Sequence, residues 1–94
     1  MLEKLQQMKQ QADESKSRLE SMEVTEDSGG GLIRISMNGN RQLKSLEINA
    51  DLSSVEKEDL EDLISVALTR VLDRVNEINE KEVMSSAQSL FPGM

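Results

Sequence analysis

Ser28-Gly29-Gly30-Gly31-Leu32-Ile33-Arg34-Ile35-Ser36-Met37-Asn38-Gly39 sets a glycine-rich bend, an alternating strand and an Asn-Gly turn between two long helix-patterned arms. Three consecutive glycines invite comparison with a phosphate-cradling loop. Such a loop opens into a helix whose N-terminal N–H groups and dipole hold the anion. These glycines feed a strand, and no Lys-Ser or Lys-Thr follows them. They read as a flexible corner leading into a hairpin, which turns the interpretation away from enzymes. Along the strand, Ile33, Ile35 and Met37 take one face and Leu32, Arg34 and Ser36 the other. Asn38-Gly39 predicts a type I′ turn, in which both central residues need φ > 0. In the return strand Leu46 and Ile48 share a face but Leu43 has the opposite parity, so a bulge between Leu43 and Leu46 is expected. Val24 and Thr25 favour extended structure, which makes Val24 to Ser28 a short edge strand. The centre of the chain is thus an antiparallel meander with one apolar face.

The first arm, residues 1–23, carries Leu5, Met8, Ala12, Ser15, Leu19 and Met22 at alternating three- and four-residue spacings, a heptad a/d seam. So narrow a stripe wants another helix rather than a sheet, and Ala12 and Ser15 make it weak. The second arm is predicted from Ser53, where Ser53-Ser54-Val55-Glu56 fits a capping box, to about residue 85. Glu56, Glu58, Asp59, Glu61 and Asp62 suit the positive end of that helix dipole better than they suit a metal site. The helix starts with a broad stripe (Leu60, Leu63, Ile64, Ala67, Leu68, Val71, Leu72) and continues with only Val75 and Ile78, then Glu82. Its first half should therefore lie on the sheet and its second half should project and pair with the first arm. Residues 86–94 read as a terminal tail with an apolar end.

The whole is one small α+β domain, residues 1–94: a helical arm (1–23), antiparallel strands (24–50), a long helix (53–85) and the tail (86–94). Composition narrows its chemistry. Among 94 residues there is no Cys, His, Tyr or Trp and one Phe. Disulfides, thiolates and imidazole chemistry are out, and a transition-metal site would have to be all carboxylate. No catalytic residue, cofactor, metal site or small-molecule substrate is expected. No apolar block suits a signal peptide or a membrane span, so a cytoplasmic chain with no membrane partner is expected. A core without large aromatics in so short a chain favours oligomerisation.

The net charge of −7 argues against nucleic acid unless the charges are segregated. With Leu5, Ala12 and Leu19 at a positions, Lys4 and Arg18 fall at g and Lys9 and Lys16 at e. The acids Glu3, Asp13, Glu14 and Glu20 lie further from the seam. In the same frame Arg74 and Lys81 of the second arm fall at g. These six residues, Lys4, Lys9, Lys16, Arg18, Arg74 and Lys81, form a basic strip on an acidic protein: either solvated flanks that pair with Glu77 or with acids of another subunit, or a strip that binds a polyanion, in which case they are the candidate DNA-binding set. Arg34, Arg41 and Lys44 form a smaller patch near the hairpin. Without aromatics to stack on bases, any nucleic acid would be a duplex held by its phosphates.

Val24-Thr25, Ser28-Gly29-Gly30-Gly31, the strand ending at Asn38-Gly39, Ile48, Leu52, Glu61-Asp62-Leu63 and the closing Pro92-Gly93-Met94 together resemble the YbaB/EbfC family of bacterial nucleoid-associated proteins. The resemblance runs in order over nearly the whole chain. It departs at Asn49-Ala50-Asp51, where the family usually has an Asp-Pro turn, and at Thr69, where Asn is common. It implies a tweezer-like homodimer whose helical arms grip double-stranded DNA with little or moderate sequence preference, in the cytoplasm at the nucleoid. The alternative is an acidic protein–protein interaction module with no direct DNA role.

Overall fold

The computed structural model describes residues 2–90. Helix α1 (Leu2–Ser21) is followed by strands β1 (Val24–Ser28), β2 (Ile33–Met37) and β3 (Leu43–Ile48) and by helix α2 (Lys57–Leu90). The three strands form one antiparallel sheet in the order β1-β2-β3. The α-β-β-β-α order is the one the periodicities predict. The molecule is long and thin, 63 × 21 × 16 Å, because two helices extend far beyond a very small sheet.

Pairing of Ile35 with Glu26 on β1 and with Leu46 on β3 fixes the register. Met37 pairs with Leu43 but Ser36 pairs with Ser45, so Lys44 is the extra residue of a bulge. That bulge restores Leu43 to the face of Leu46 and Ile48, as the parity conflict requires. The buried core is Val24, Ile33, Ile35 and Met37 from the sheet against Ala67, Val71 and Val75 from α2, with Leu60, Leu63, Ile64, Leu72 and Ile78 packed around it. The broad stripe of α2 therefore covers β1 and β2.

The two sheet edges differ. On β1, Arg70 donates to the carbonyl oxygen of Asp27 (2.9 Å), and Arg74 donates to that of Thr25 (3.3 Å) and pairs with the Glu26 carboxylate. Two guanidinium groups thus occupy the outward backbone acceptors that make an exposed edge a template for pairing. On β3 every residue is exposed, including Leu43 (57%), Leu46 (41%) and Ile48 (42%). These three lie on the same face as the core yet extend past the cover of α2.

Two local expectations fail. Neither Asn38 nor Gly39 has a positive φ, so the turn is not type I′. Instead the Arg41 N–H donates to the Asn38 carbonyl (3.2 Å) and the Asn38 N–H to the Gln42 carbonyl (3.0 Å). Arg41 takes the left-handed conformation at φ 65°. This is a three-residue loop, a type I turn closed by a left-handed residue. The positive φ values predicted for a glycine turn occur one hairpin earlier, at Gly29, Gly30 and Gly31.

The capping box is also absent. The Asp51 carboxylate accepts from both the N–H (3.0 Å) and the Oγ (2.6 Å) of Ser53. The Asp51 carbonyl accepts from the N–H groups of Ser54 and Val55. A separate turn therefore forms, and α2 starts at Lys57, with the Leu60 N–H donating to the Glu56 carbonyl. At its other end α2 continues through Leu90, into the predicted tail; residues 91–94 of that tail lie outside the described residues.

Gly39 is required for space rather than for φ. A Cβ there would lie 2.8 Å from Leu19 Cδ2 and 2.9 Å from the Leu19 carbonyl oxygen. Gly39→Ala is expected to destabilise the fold by about 1–3 kcal/mol through overpacking, read from urea or thermal unfolding. Gly30, at φ 68° with nothing near its missing Cβ, should lose only the roughly 1–2 kcal/mol of left-handed strain when changed to Ala. An unchanged stability in Gly39→Ala would refute the close approach of helix and hairpin.

Candidate nucleic-acid interface

Beyond the sheet, α1 runs antiparallel to the second half of α2. A groove of about 300 Å³ between them is lined by Ala12, Ser15, Lys16 and Leu19 of α1, Asn40 of the hairpin, and Asn79, Val83 and Ser86 of α2. Ser15 and Leu19 are the buried residues of α1, while Leu2 and Leu5 toward its start stand exposed. Among the described residues the buried Ser86 Oγ has no hydrogen-bond partner.

Two polar clusters hold this loose pair in place. At the root, the Gly39 N–H donates to the Leu19 carbonyl (2.8 Å), Asn40 Nδ2 to the Lys16 carbonyl (3.0 Å) and Asn79 Nδ2 to the Gly39 carbonyl (3.0 Å). Asn38, fully buried, organises the loop from inside: its Oδ1 accepts from the N–H groups of Asn40 and Gln42. Further out, Arg18 donates through Nε to Glu82 Oε1 (2.8 Å) and approaches the same oxygen with Nη2 (2.6 Å). Glu82, the charged residue in the otherwise apolar seam, is thus a clasp. The hydrogen bond from Arg18, helped by one from Ser15, holds its carboxyl below the ordinary value of 4.5.

The six candidate DNA-binding residues separate into groups. Lys4, Lys9 and Lys16 lie exposed on α1 and Lys81 exposed on the distal half of α2. Among the described residues Lys9, Lys16 and Lys81 have no ion pair. Arg18 is exposed but engaged by Glu82. Arg74 does not flank the arm at all; its guanidinium lies against β1, held by Glu26 and a backbone carbonyl. Heptad counting carried the arm frame one turn too far toward the sheet, where α2 packs on strands rather than on a helix.

The charge is segregated along the molecule. Residues 51–62 contain six of the eighteen acids against the single basic Lys57, which accounts for −5 of the net −7. Helix α1 carries four basic and four acidic side chains. The acidic end is the start of α2, over the glycine turn; the unpaired lysines lie toward the arm. Among the described residues no cluster of acids is arranged to hold a metal ion, and no helix is long and apolar enough to cross a membrane.

The clasp has a pH signature. Because the folded-state pKa of Glu82 is depressed, its contribution is present above the ordinary carboxylate range and is lost as pH falls through the folded value. The Glu82 carboxyl resonance should therefore titrate with a midpoint below 4.5. In Arg18→Gln the midpoint should move up toward the ordinary value, with faster amide exchange in α1. An unshifted midpoint in Arg18→Gln would show that the clasp does not exist in solution.

The model of the YbaB/EbfC DNA-binding family matches residues 1–90. A nucleoid-associated protein of Flavobacterium johnsoniae is 33% identical over 94 residues, covering 100% of this chain and 88% of that protein. One of Hahella chejuensis is 34% identical over 90 residues, covering 96% of this chain and 83% of its own length. The crystal structure of an uncharacterized protein from Helicobacter pylori superposes with a TM-score of 0.79 at 26% identity, over 86% of each chain. With a match spanning nearly the full sequence and the same helix–meander–helix architecture, the chain belongs to the YbaB/EbfC DNA-binding family.

Proposed function

We propose that this chain binds double-stranded DNA as a homodimer, in the cytoplasm at the nucleoid, through phosphate contacts made by lysines of the helical arms. The observation that carries the reading is the segregation of charge. An acidic protein can approach a polyanion only if its acids face away, and here most of the excess is confined to residues 51–62. Lys9, Lys16 and Lys81, with Lys4, supply the contacts; Arg18 contributes only by leaving Glu82, and Arg74 belongs to the sheet edge. Neither arm carries an evident set for reading base edges, which favours weak sequence preference.

The dimer surface is argued from the uncovered apolar face. Leu43, Leu46 and Ile48 stand exposed on β3, and on the ridge of α2 Leu68 stands 38% exposed between half-buried Ile64 and Leu72. Arg70 and Arg74 close the β1 edge, so β3 and this ridge are where a second copy fits. Leu46→Asp would place a charge there and should convert the dimer to a monomer or unfold it in sedimentation at micromolar concentration. A wild-type chain that sediments as a folded monomer would refute the interface.

For DNA, affinity should fall linearly on a log–log salt plot. Changing Lys9, Lys16 and Lys81 together to Glu should weaken all duplexes alike and make the slope shallower by about 1 per lost contact. The fold should be unaffected, because none of the three is buried or paired. The second reading, a protein-interaction module, draws on the acidic segment 51–62 with Leu52 exposed in its midst. Absence of duplex binding by the wild type at low salt, where the electrostatic attraction is greatest, would leave that reading in place.

A further inference from the structure

We propose that Arg41, at the tip of the β2–β3 hairpin, is a fixed phosphate contact at the root of the arm, separate from the arm lysines. The proposal rests on the DNA-binding reading above and adds a residue from a different element. Arg41 is the one non-glycine residue with a positive φ, 65°, among the described residues. The position that closes a type I turn in a three-residue hairpin takes a left-handed residue, and glycine fills it without strain. An arginine there is a backbone penalty that the hairpin itself does not need. Strain of this kind points to a use for the side chain.

The side chain is correspondingly well placed. Its Nε donates to the Asn76 Oδ1 at 2.6 Å. That bond aims the guanidinium but spends no charge, since the partner is a neutral amide. No carboxylate pairs with it among the described residues. The other arginines differ: Arg18 is neutralised by Glu82 and Arg74 by Glu26, while Arg70, which also bonds a neutral acceptor, lies at the β1 edge in a cleft shared with Asp59 and Asp62. Arg34 lies in register between Asp27 and Glu47 on the open sheet face. At the root of the arm Arg41 is both oriented and uncompensated, with its two Nη groups left as the planar fork that fits phosphate oxygens.

The platform beneath it is rigid. The loop is tied to α1 through Leu19 and Lys16 and to α2 through Asn79. A phosphate arriving at the arm root would meet a donor whose geometry is set before binding, which reduces the ordering cost of the contact. The arm lysines, on flexible stems, offer no such constraint.

The test compares wild type, Arg41→Gly, Arg41→Asn and Arg34→Gln for duplex binding by fluorescence anisotropy over a series of salt concentrations. Glycine and asparagine both accept a left-handed backbone, so the two Arg41 variants share the loss of the fork and not a backbone defect. Each should bind roughly tenfold more weakly at low salt, the order expected for one charge-assisted contact, with a log–log slope shallower by about 1. Arg41→Gly should melt no lower than wild type, because it relieves the strain. Arg34→Gln should bind as wild type does. Unchanged affinity and slope in both Arg41 variants would overturn the proposal while leaving the arm reading intact. An equal loss in Arg34→Gln would overturn it too, by showing that only total charge matters. If the wild type itself binds no duplex, the DNA reading fails first and this contact falls with it.

Discussion

The close approach of Gly39 to Leu19 is the constraint on which the rest of the molecule depends. A sheet of three short strands and a pair of helices share no continuous core; the apolar cluster of the sheet ends near Val75 and Ile78, where the arm begins. What joins them is a backbone-to-backbone hydrogen bond of 2.8 Å, possible only because residue 39 has no side chain. The amides of Asn40 and Asn79 then fasten the same loop to both helices. A buried polar junction of this kind is worth more as a director than as a source of stability. Each donor has one acceptable partner, and the penalty for leaving a buried group unpaired excludes other arrangements.

The same logic separates what was legible in the sequence from what was not. The meander, its apolar face and even its bulge could be read because side-chain parity is a strict rule: Leu43 and Leu46 conflict in parity, one extra residue between them repairs it, and the pairing shows that residue to be Lys44. The change in stripe width along α2 likewise announced where sheet packing gives way to helix pairing. The turn at Asn38-Gly39 was misread because an Asn-Gly pair serves two loop geometries. The choice was made by a contact with Leu19, some twenty residues away. The capping box fails for a local reason: the Asp51 carboxylate takes both the Oγ–H and the N–H of Ser53, the N–H that a capping box would give to Glu56. The contested candidate was Arg74. Heptad counting assumes that the neighbour is a helix, and at residue 74 the neighbour is a strand.

Asymmetry recurs at each level of the structure. One sheet edge is closed by arginines and the other is left open and apolar; one end of α2 is crowded with carboxylates, while the other has three glutamates, one of them engaged by Arg18, and Lys81. These features are independent in origin, since edge capping uses backbone acceptors and charge segregation follows from sequence position. On the proposed function they would serve as separate surfaces, one for self-association and one for a polyanion, a division that composition summed over a whole chain conceals.

Helix α2 runs 34 residues without a glycine or proline, through the body and on into the arm. At 1.5 Å per residue it is a stiff rod of about 51 Å. In a two-fold assembly, the gap between two such rods is dictated by how the bodies meet, with no joint along the way to absorb an adjustment. The proposed dimer would then behave as a pair of calipers whose opening is machined at the subunit contact. A repacked residue at that contact, remote from any phosphate, would reset the diameter of the object that fits between the jaws.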